Sequence, residues 1–108
     1  MKRVILESPY AGDIVKHTIY ARQCIKDSLM RGEAPIASHM LYTQPGILDD
    51  TIKHERKLGI MAGLLWVSRA DAMVVYTDHG TSAGMKDAIE EAKLNNLPIE
   101  YRKIIKTA

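Results

Sequence analysis

The sequence predicts a single α/β domain, a short parallel β-sheet covered by helices on both faces, with a small-molecule pocket at the carboxyl ends of its strands. Three observations predict it. At 108 residues and 46% apolar content, the chain has the length and composition for one core. Short apolar runs alternate with longer segments of helical period in the order β-α-β-α-β-α-β, which a right-handed, parallel, helix-covered sheet explains. Ala72-Met73-Val74-Val75-Tyr76 is an unbroken apolar run, the pattern of a strand covered on both faces.

The elements follow in order. Val4 to Glu7 is a β-branched apolar run that stops at Ser8-Pro9, where proline cannot continue a ladder. Gly12 gives the next turn its backbone freedom, and Asp13 is placed to cap a helix. From Ile14 to about Arg31 the period is helical: Val15, Thr18, Arg22, Ile25 and Leu29 share one face, flanked by Ile19, and Gly32 ends the segment. Ala34 to Ser38 reads as a short strand whose early proline suits an edge or first position. His39 to Asp50, with Pro45, Gly46 and two adjacent aspartates, reads as a loop long enough to be functional. Thr51 to about Arg69 returns to helical period, with Ile52, Gly59, Gly63 and Trp66 aligned; two glycines on one face imply close packing of another backbone there. After the Ala72 strand, Asp78 to Gly84 is a polar turn. Met85 to about Asn95 is a helix burying Met85, Ala88, Ile89 and Ala92, and Leu97 to Tyr101 is the last strand.

Composition excludes several classes. Fifteen basic and thirteen acidic residues leave a formal charge of +2, with both signs dispersed. No basic stripe interleaved with aromatics marks a nucleic-acid partner, and Lys103 with Lys106 reads as a solvated tail. The single cysteine, Cys24, rules out an internal disulfide or a cysteine-based metal cluster and reads as a small core hydrophobe. His17, His39, His54 and His79 fall in no ligand spacing, so neither metal nor cofactor is expected. The apolar run after Met1-Lys2-Arg3 is too short for a signal peptide, and no run reaches membrane-spanning length. A cytoplasmic protein without a membrane partner is expected, and a domain this small gains by associating with copies of itself.

In an open parallel sheet, ligands bind beyond the carboxyl ends of the strands. Three loops sit there and hold the candidate residues: Ser8, Tyr10, Gly12 and Asp13; His39, Tyr42 and Gln44; Asp78, Ser82, Gly84 and Met85. Tyr10, Tyr42 and His39 suit stacking on or bonding to a base, and the Gln44 amide suits a base edge. The third loop opens a helix with glycines and hydroxyls. It reads equally as a phosphate or ribose cradle and as a helix start capped by Ser82. Glu55 and Arg56 read as helix-surface groups, with Arg56 on the face of Ile52 and Gly59 and so able to reach a pocket.

These words in this order resemble the nucleoside 2-deoxyribosyltransferase-like superfamily, and within it a small branch found in phages and bacteria. The matching words are Ser8-Pro9-Tyr10-Ala11-Gly12, Ala37 to Gln44, Glu55-Arg56 with Gly59 and Ala62-Gly63, Trp66, Ala70 to Asp78, and Ser82-Ala83-Gly84-Met85. The resemblance covers nearly the whole chain. It implies a flavodoxin- or Rossmann-like sheet, a homo-oligomer in which a neighbour helps close the pocket, and a nucleoside- or nucleotide-type ligand. Enzymes of that superfamily attack the anomeric carbon with a glutamate on the helix after the Ala-Asp strand. Here that position falls on Ala88 or, by another alignment, on Lys86. Gly63 and Ser82 or Gly80 fall where supporting aspartates are expected. Binding without family-type glycosyl transfer is therefore expected, as in a phage protein that acts as a sponge for a nucleotide signal in host defence. The alternative is N-glycosidic cleavage by substitute carboxylates, Asp78 or Asp87.

Overall fold

The computed structural model describes residues 1–105; Lys106 of the basic tail lies outside them. The chain runs β1 (Lys2–Glu7), α1 (Ile14–Met30), β2 (Glu33–Ile36), α2 (Ser38–Leu41), α3 (Lys53–Leu65), a 3₁₀ turn (Val67–Arg69), β3 (Ala72–Tyr76), α4 (Ala83–Leu94) and β4 (Ile99–Arg102). The four strands form one parallel sheet in the order β2-β1-β3-β4. This is the expected doubly wound α/β architecture. Its strand order reverses direction between β1 and β3, and in such sheets that reversal opens a crevice at the carboxyl edge.

Alternation along the strands sorts the core into two layers. Val4 and Leu6 face α1 together with Ala72, Val74 and Tyr76, packing on Tyr20 and Cys24. Ile5 faces the other way with Met73 and Val75, against Val67 and the Met85, Ala88, Ile89, Ala92 face of α4. Glu7 shares the Ile5 side by the same alternation. The two-layer core is what the apolar run Ala72–Tyr76 requires, and every residue of that strand is buried.

Helix α1 begins where expected: Asp13 Oδ1 accepts the Lys16 N–H at 3.1 Å. Its buried face is not the expected one. Tyr20, Ala21, Cys24 and Ser28 point inward, whereas Val15 is 73% and Leu29 52% exposed. The reason is that the inward polar tips find partners. Tyr20 OH donates to Asp78 Oδ1 at 2.7 Å and Ser28 Oγ donates to Glu33 Oε1 at 2.8 Å, so burial of these groups costs little, and a count of apolar side chains picks the wrong stripe.

Element ends differ by a few residues: the third helix stops at Leu65 short of Arg69, α4 starts at Ala83 and β4 runs Ile99–Arg102 where Leu97 to Tyr101 was expected. Strand β2 starts at Glu33 and ends at Ile36, because Ser38 to Leu41 forms a single helical turn inside the region expected to be loop. Pro35 sits, as expected, on an edge strand. The glycines of α3 allow close approach, but to side chains and not to backbone. A Cβ on Gly63 would stand 2.5 Å from Ser38 Oγ, and one on Gly59 would stand 3.2 Å from Leu48 Cδ1. Gly63 thus sets how near α2 lies to α3.

On the α1 side, Arg102 closes a network the sequence did not advertise. Its guanidinium is buried and meets Glu33 Oε2 at 2.6 Å, Glu100 Oε2 at 2.5 Å and Tyr76 OH at 3.1 Å, tying β2, β3 and β4 together. The hydrogen bonds from Arg102 hold the Glu33 carboxyl down at about 2.

Candidate functional site

A cleft opens at the carboxyl ends of β1 and β2 and the start of α4, roofed by α2 and α3. Its enclosed part measures about 120 Å³. Four of its walls come from loops or helix starts that the parallel topology brings to one edge. Ser8 and Tyr10 follow β1, Ser38 and His39 open α2, Gly59, Gly63 and Leu64 line the flank of α3, and Ser82, Gly84, Met85 and Ala88 present the first turns of α4.

Gly12, at φ +93°, turns the chain between β1 and α1. His17 Nδ1 donates to the Tyr10 carbonyl at 3.0 Å, which holds that loop onto α1. Ser8 is buried, and its Oγ shares a hydrogen bond with His39 Nε2 at 2.8 Å. Burial lowers the His39 imidazole to about 4, so the ring is neutral at physiological pH. Tyr10 meets His39 edge-on, with ring centroids 6.4 Å apart. Tyr42 is anchored from behind, its OH accepting the Trp66 Nε1–H at 3.1 Å.

Ser82 caps α4 and faces the cleft. Its Oγ accepts the Met85 N–H at 3.2 Å as a helix cap, and it lines the cleft. Gly84 leaves open space where a side chain would stand. Arg56 is exposed and borders both this cleft and a shallower groove with Gly12 and Asp50, so its guanidinium stands at the rim. Glu55 lines the cleft but its Oε1 accepts the Asp49 N–H at 3.0 Å, bracing the loop ahead of α3.

The remaining candidates lie elsewhere. Gly12 and Asp13 border the shallow grooves beside the cleft. Gln44 is exposed and donates back to the Met40 carbonyl of α2. Asp78 is a structural hub: besides Tyr20 OH it accepts the backbone N–H groups of Ile104 and Ile105 at 3.0 and 2.9 Å. Burial opposes its ionisation, but these donors outweigh burial and hold it below the usual carboxylate range. Asp87 is exposed on α4, outside the cleft lining. Neither aspartate stands where it would meet a molecule in the cleft. Cys24 behaves as expected, fully buried with its thiol pushed up to about 12 by burial. Among the described residues no group of three histidine, cysteine or acidic side chains converges as a metal site, and no helix is long and apolar enough to cross a membrane.

Sequence reasoning missed the most unusual group in the cleft, Glu7. It ends β1 on the same face as Ile5, and its carboxyl enters a cleft walled by Ile5, Leu64, Val67, Met85 and Ala88. Burial alone raises it to about 8, with no hydrogen bond or neighbouring charge offsetting that among the described residues. The signal was present: period two places Glu7 on the inward face, where a carboxylate has no business unless something meets it.

The family model for a domain of unknown function, DUF7768, matches residues 2–102. The chain belongs to this family. No curated protein matches it. Among solved structures, a 2-deoxyribosyltransferase from the psychrotolerant bacterium Bacillus psychrosaccharolyticus is similar, with a TM-score of 0.64 and 17% identity over 96% of this chain and 77% of that one. At that identity the likeness establishes a shared fold, the single α/β domain with a parallel sheet. In this DUF7768 domain Ala88 forms part of the cleft wall and Glu7 brings the deep carboxyl from β1.

Proposed function

We propose that the cleft binds a nucleoside- or nucleotide-type small molecule with its base or sugar enclosed and the rest leaving past Arg56. The observation that carries this reading is the convergence of Tyr10, Tyr42, neutral His39 and the unpaired Glu7 carboxyl in one cleft at the carboxyl edge of the sheet. A space of about 120 Å³ is below the ~300–1,000 Å³ of pockets that enclose drug-sized ligands. It suits one flat ring or sugar, not a whole nucleotide. The exposed Arg56 guanidinium at the rim suits a phosphate outside. Fold likeness to a 2-deoxyribosyltransferase supports the ligand class by analogy.

The ligand is held without family-type glycosyl transfer, since Ala88 offers no nucleophile, so the domain acts as a sink for such a molecule. Copies of the chain associate through exposed apolar side chains such as Val15, Ile19, Leu58 and Met61. Light scattering tests that association, which a monodisperse monomer at high concentration refutes. A thermal-shift panel of nucleosides, nucleotides, cyclic dinucleotides and ADP-ribose derivatives tests the ligand, with mass spectrometry of whatever heat releases from the protein. Stabilisation by panel members and intact ligand on release support the reading; no shift across the panel refutes it.

A second reading, cleavage of the N-glycosidic bond, is favoured by Glu7 itself. A neutral carboxyl in the cleft can hand its proton to a departing base while water adds to the anomeric carbon and returns a proton to the carboxylate. Free base and free sugar among the products would establish it.

A further inference from the structure

We propose that Glu7 recognises the ligand's ring by its edge, its neutral carboxyl offering one O–H donor beside one C=O acceptor to a ring that carries an acceptor next to a donor. The inference rests on the proposed nucleoside reading and names the chemistry its deep end selects. The geometry carries it. Glu7 closes the inward face of β1 after Ile5, lines the cleft, and makes no hydrogen bond or ion pair among the described residues. Its oxygens are open to the cleft and unclaimed by any protein donor or acceptor among the described residues, so a ligand ring placed there meets them directly in place of water.

The groups facing it leave the deep end uncharged. From the loop after β1 come Ser8 and Tyr10, and from α2 comes His39, neutral and bonded to Ser8. Beyond α2 comes Tyr42, tied to Trp66. From the loop before α3 and from α3 come Asp50, Glu55 and the rim cation Arg56, and α4 offers Ser82, Gly84, Met85 and Ala88, none charged. A cation there would lack ligands, since among the described residues no second and third acidic or imidazole group converges on Glu7. A charged organic group would be stripped of water against Leu64, Val67 and Met85. A neutral edge fits.

A carboxylic acid presents donor and acceptor side by side. It matches the amidine edge of adenine or cytosine, or the lactam edge of uracil, each carrying one donor beside one acceptor. Guanine offers such a lactam edge too, whereas its N1–H beside its 2-amino group, two adjacent donors, matches an ionised carboxylate. The raised carboxyl of Glu7, about 8, supports the first case.

The test is calorimetric titration of adenosine, uridine and guanosine into the wild-type chain, Glu7→Gln and Glu7→Leu. An amide keeps one donor beside one acceptor, so Glu7→Gln retains adenosine affinity near the wild-type value. Glu7→Leu loses about tenfold or more, the equivalent of one unmet buried hydrogen bond. Raising pH from about 6.5 to about 9 weakens adenosine binding to the wild-type chain about tenfold, the fraction of carboxyl left protonated, and leaves Glu7→Gln unchanged. Thermal unfolding confirms that each variant folds. Equal loss in Glu7→Gln and Glu7→Leu overturns the inference, as do unchanged affinity in Glu7→Leu, coincident pH curves, or guanosine binding that strengthens as pH rises. Absence of binding by every nucleoside in the wild-type chain overturns the nucleoside reading itself.

Discussion

Replacing Glu7 by glutamine should stabilise the empty protein, and the size of the effect follows from its environment. Burial raises the carboxyl from 4.5 to about 8. The folded value lies above the unfolded one, so folding takes up a proton. The associated stability is fully present below about pH 4.5 and is lost as pH rises through about 8. At pH 7 the cost is about 2.5 pKa units at 1.36 kcal/mol each, or about 3.4 kcal/mol. Glu7 keeps some surface open to the cleft, and solvent there reduces the figure to about 2 kcal/mol. Glutamine has nearly the same shape and does not ionise, so Glu7→Gln recovers that amount. For a domain of this size it corresponds to a rise in Tm of roughly 8–16 °C. The assay is thermal or urea unfolding of both proteins from about pH 4.5 to about pH 9. The difference between them should widen across that interval and level off above about pH 8. A constant difference across the range would refute the claim that Glu7 is held neutral by burial.

Three further predictions follow from the same structure. Burial lowers His39 from 6.5 to about 4, so its stability is present above pH 6.5 and lost as pH falls towards about 4; His39→Gln should remove that acid limb of the stability curve, and an unchanged limb contradicts the assignment. Arg102→Ala leaves Glu33, whose side chain is 12% exposed, with the Ser28 hydroxyl as its remaining side-chain donor, and should cost about 3 kcal/mol in urea unfolding; a loss below about 1 kcal/mol would mean the network is solvated. Gly63→Ala drives a methyl group to within 2.5 Å of Ser38 Oγ and should cost about 1–3 kcal/mol while displacing α2 and His39; Ser38→Gly in the same chain should restore most of it, and no restoration would place the strain elsewhere.

What could be read from the sequence depended on how local each signal was. Asp13 and Ser82 cap helices through contacts three residues away, and the Ala72–Tyr76 run announces a two-sided strand, so the element order and sheet type were legible. The inward face of α1 was not, because Tyr20 and Ser28 are buried by partners 58 and five residues away in the chain, a pairing no helical period records. Of the site, Ser8, Tyr10, His39, Tyr42, Ser82, Gly84 and Met85 were placed by topology and do line the cleft. Asp78 drew attention as a carboxylate at a strand end, but its oxygens are occupied by Tyr20, Ile104 and Ile105. Glu7 passed within the apolar run Val4 to Glu7, although a period of two puts it on the Ile5 face; the apolar groups that meet it across the cleft come from α3 and α4, far off in the chain.

The most direct test of the nucleoside site is a heteronuclear NMR titration of the intact chain with adenosine and its 5′-monophosphate. Saturable shifts should concentrate on Glu7, Ser8, His39, Tyr42 and Ser82, with Arg56 moving more for the monophosphate. Shifts confined to the grooves beside Asp13 or Val15, or no saturable shifts with either ligand, would contradict it.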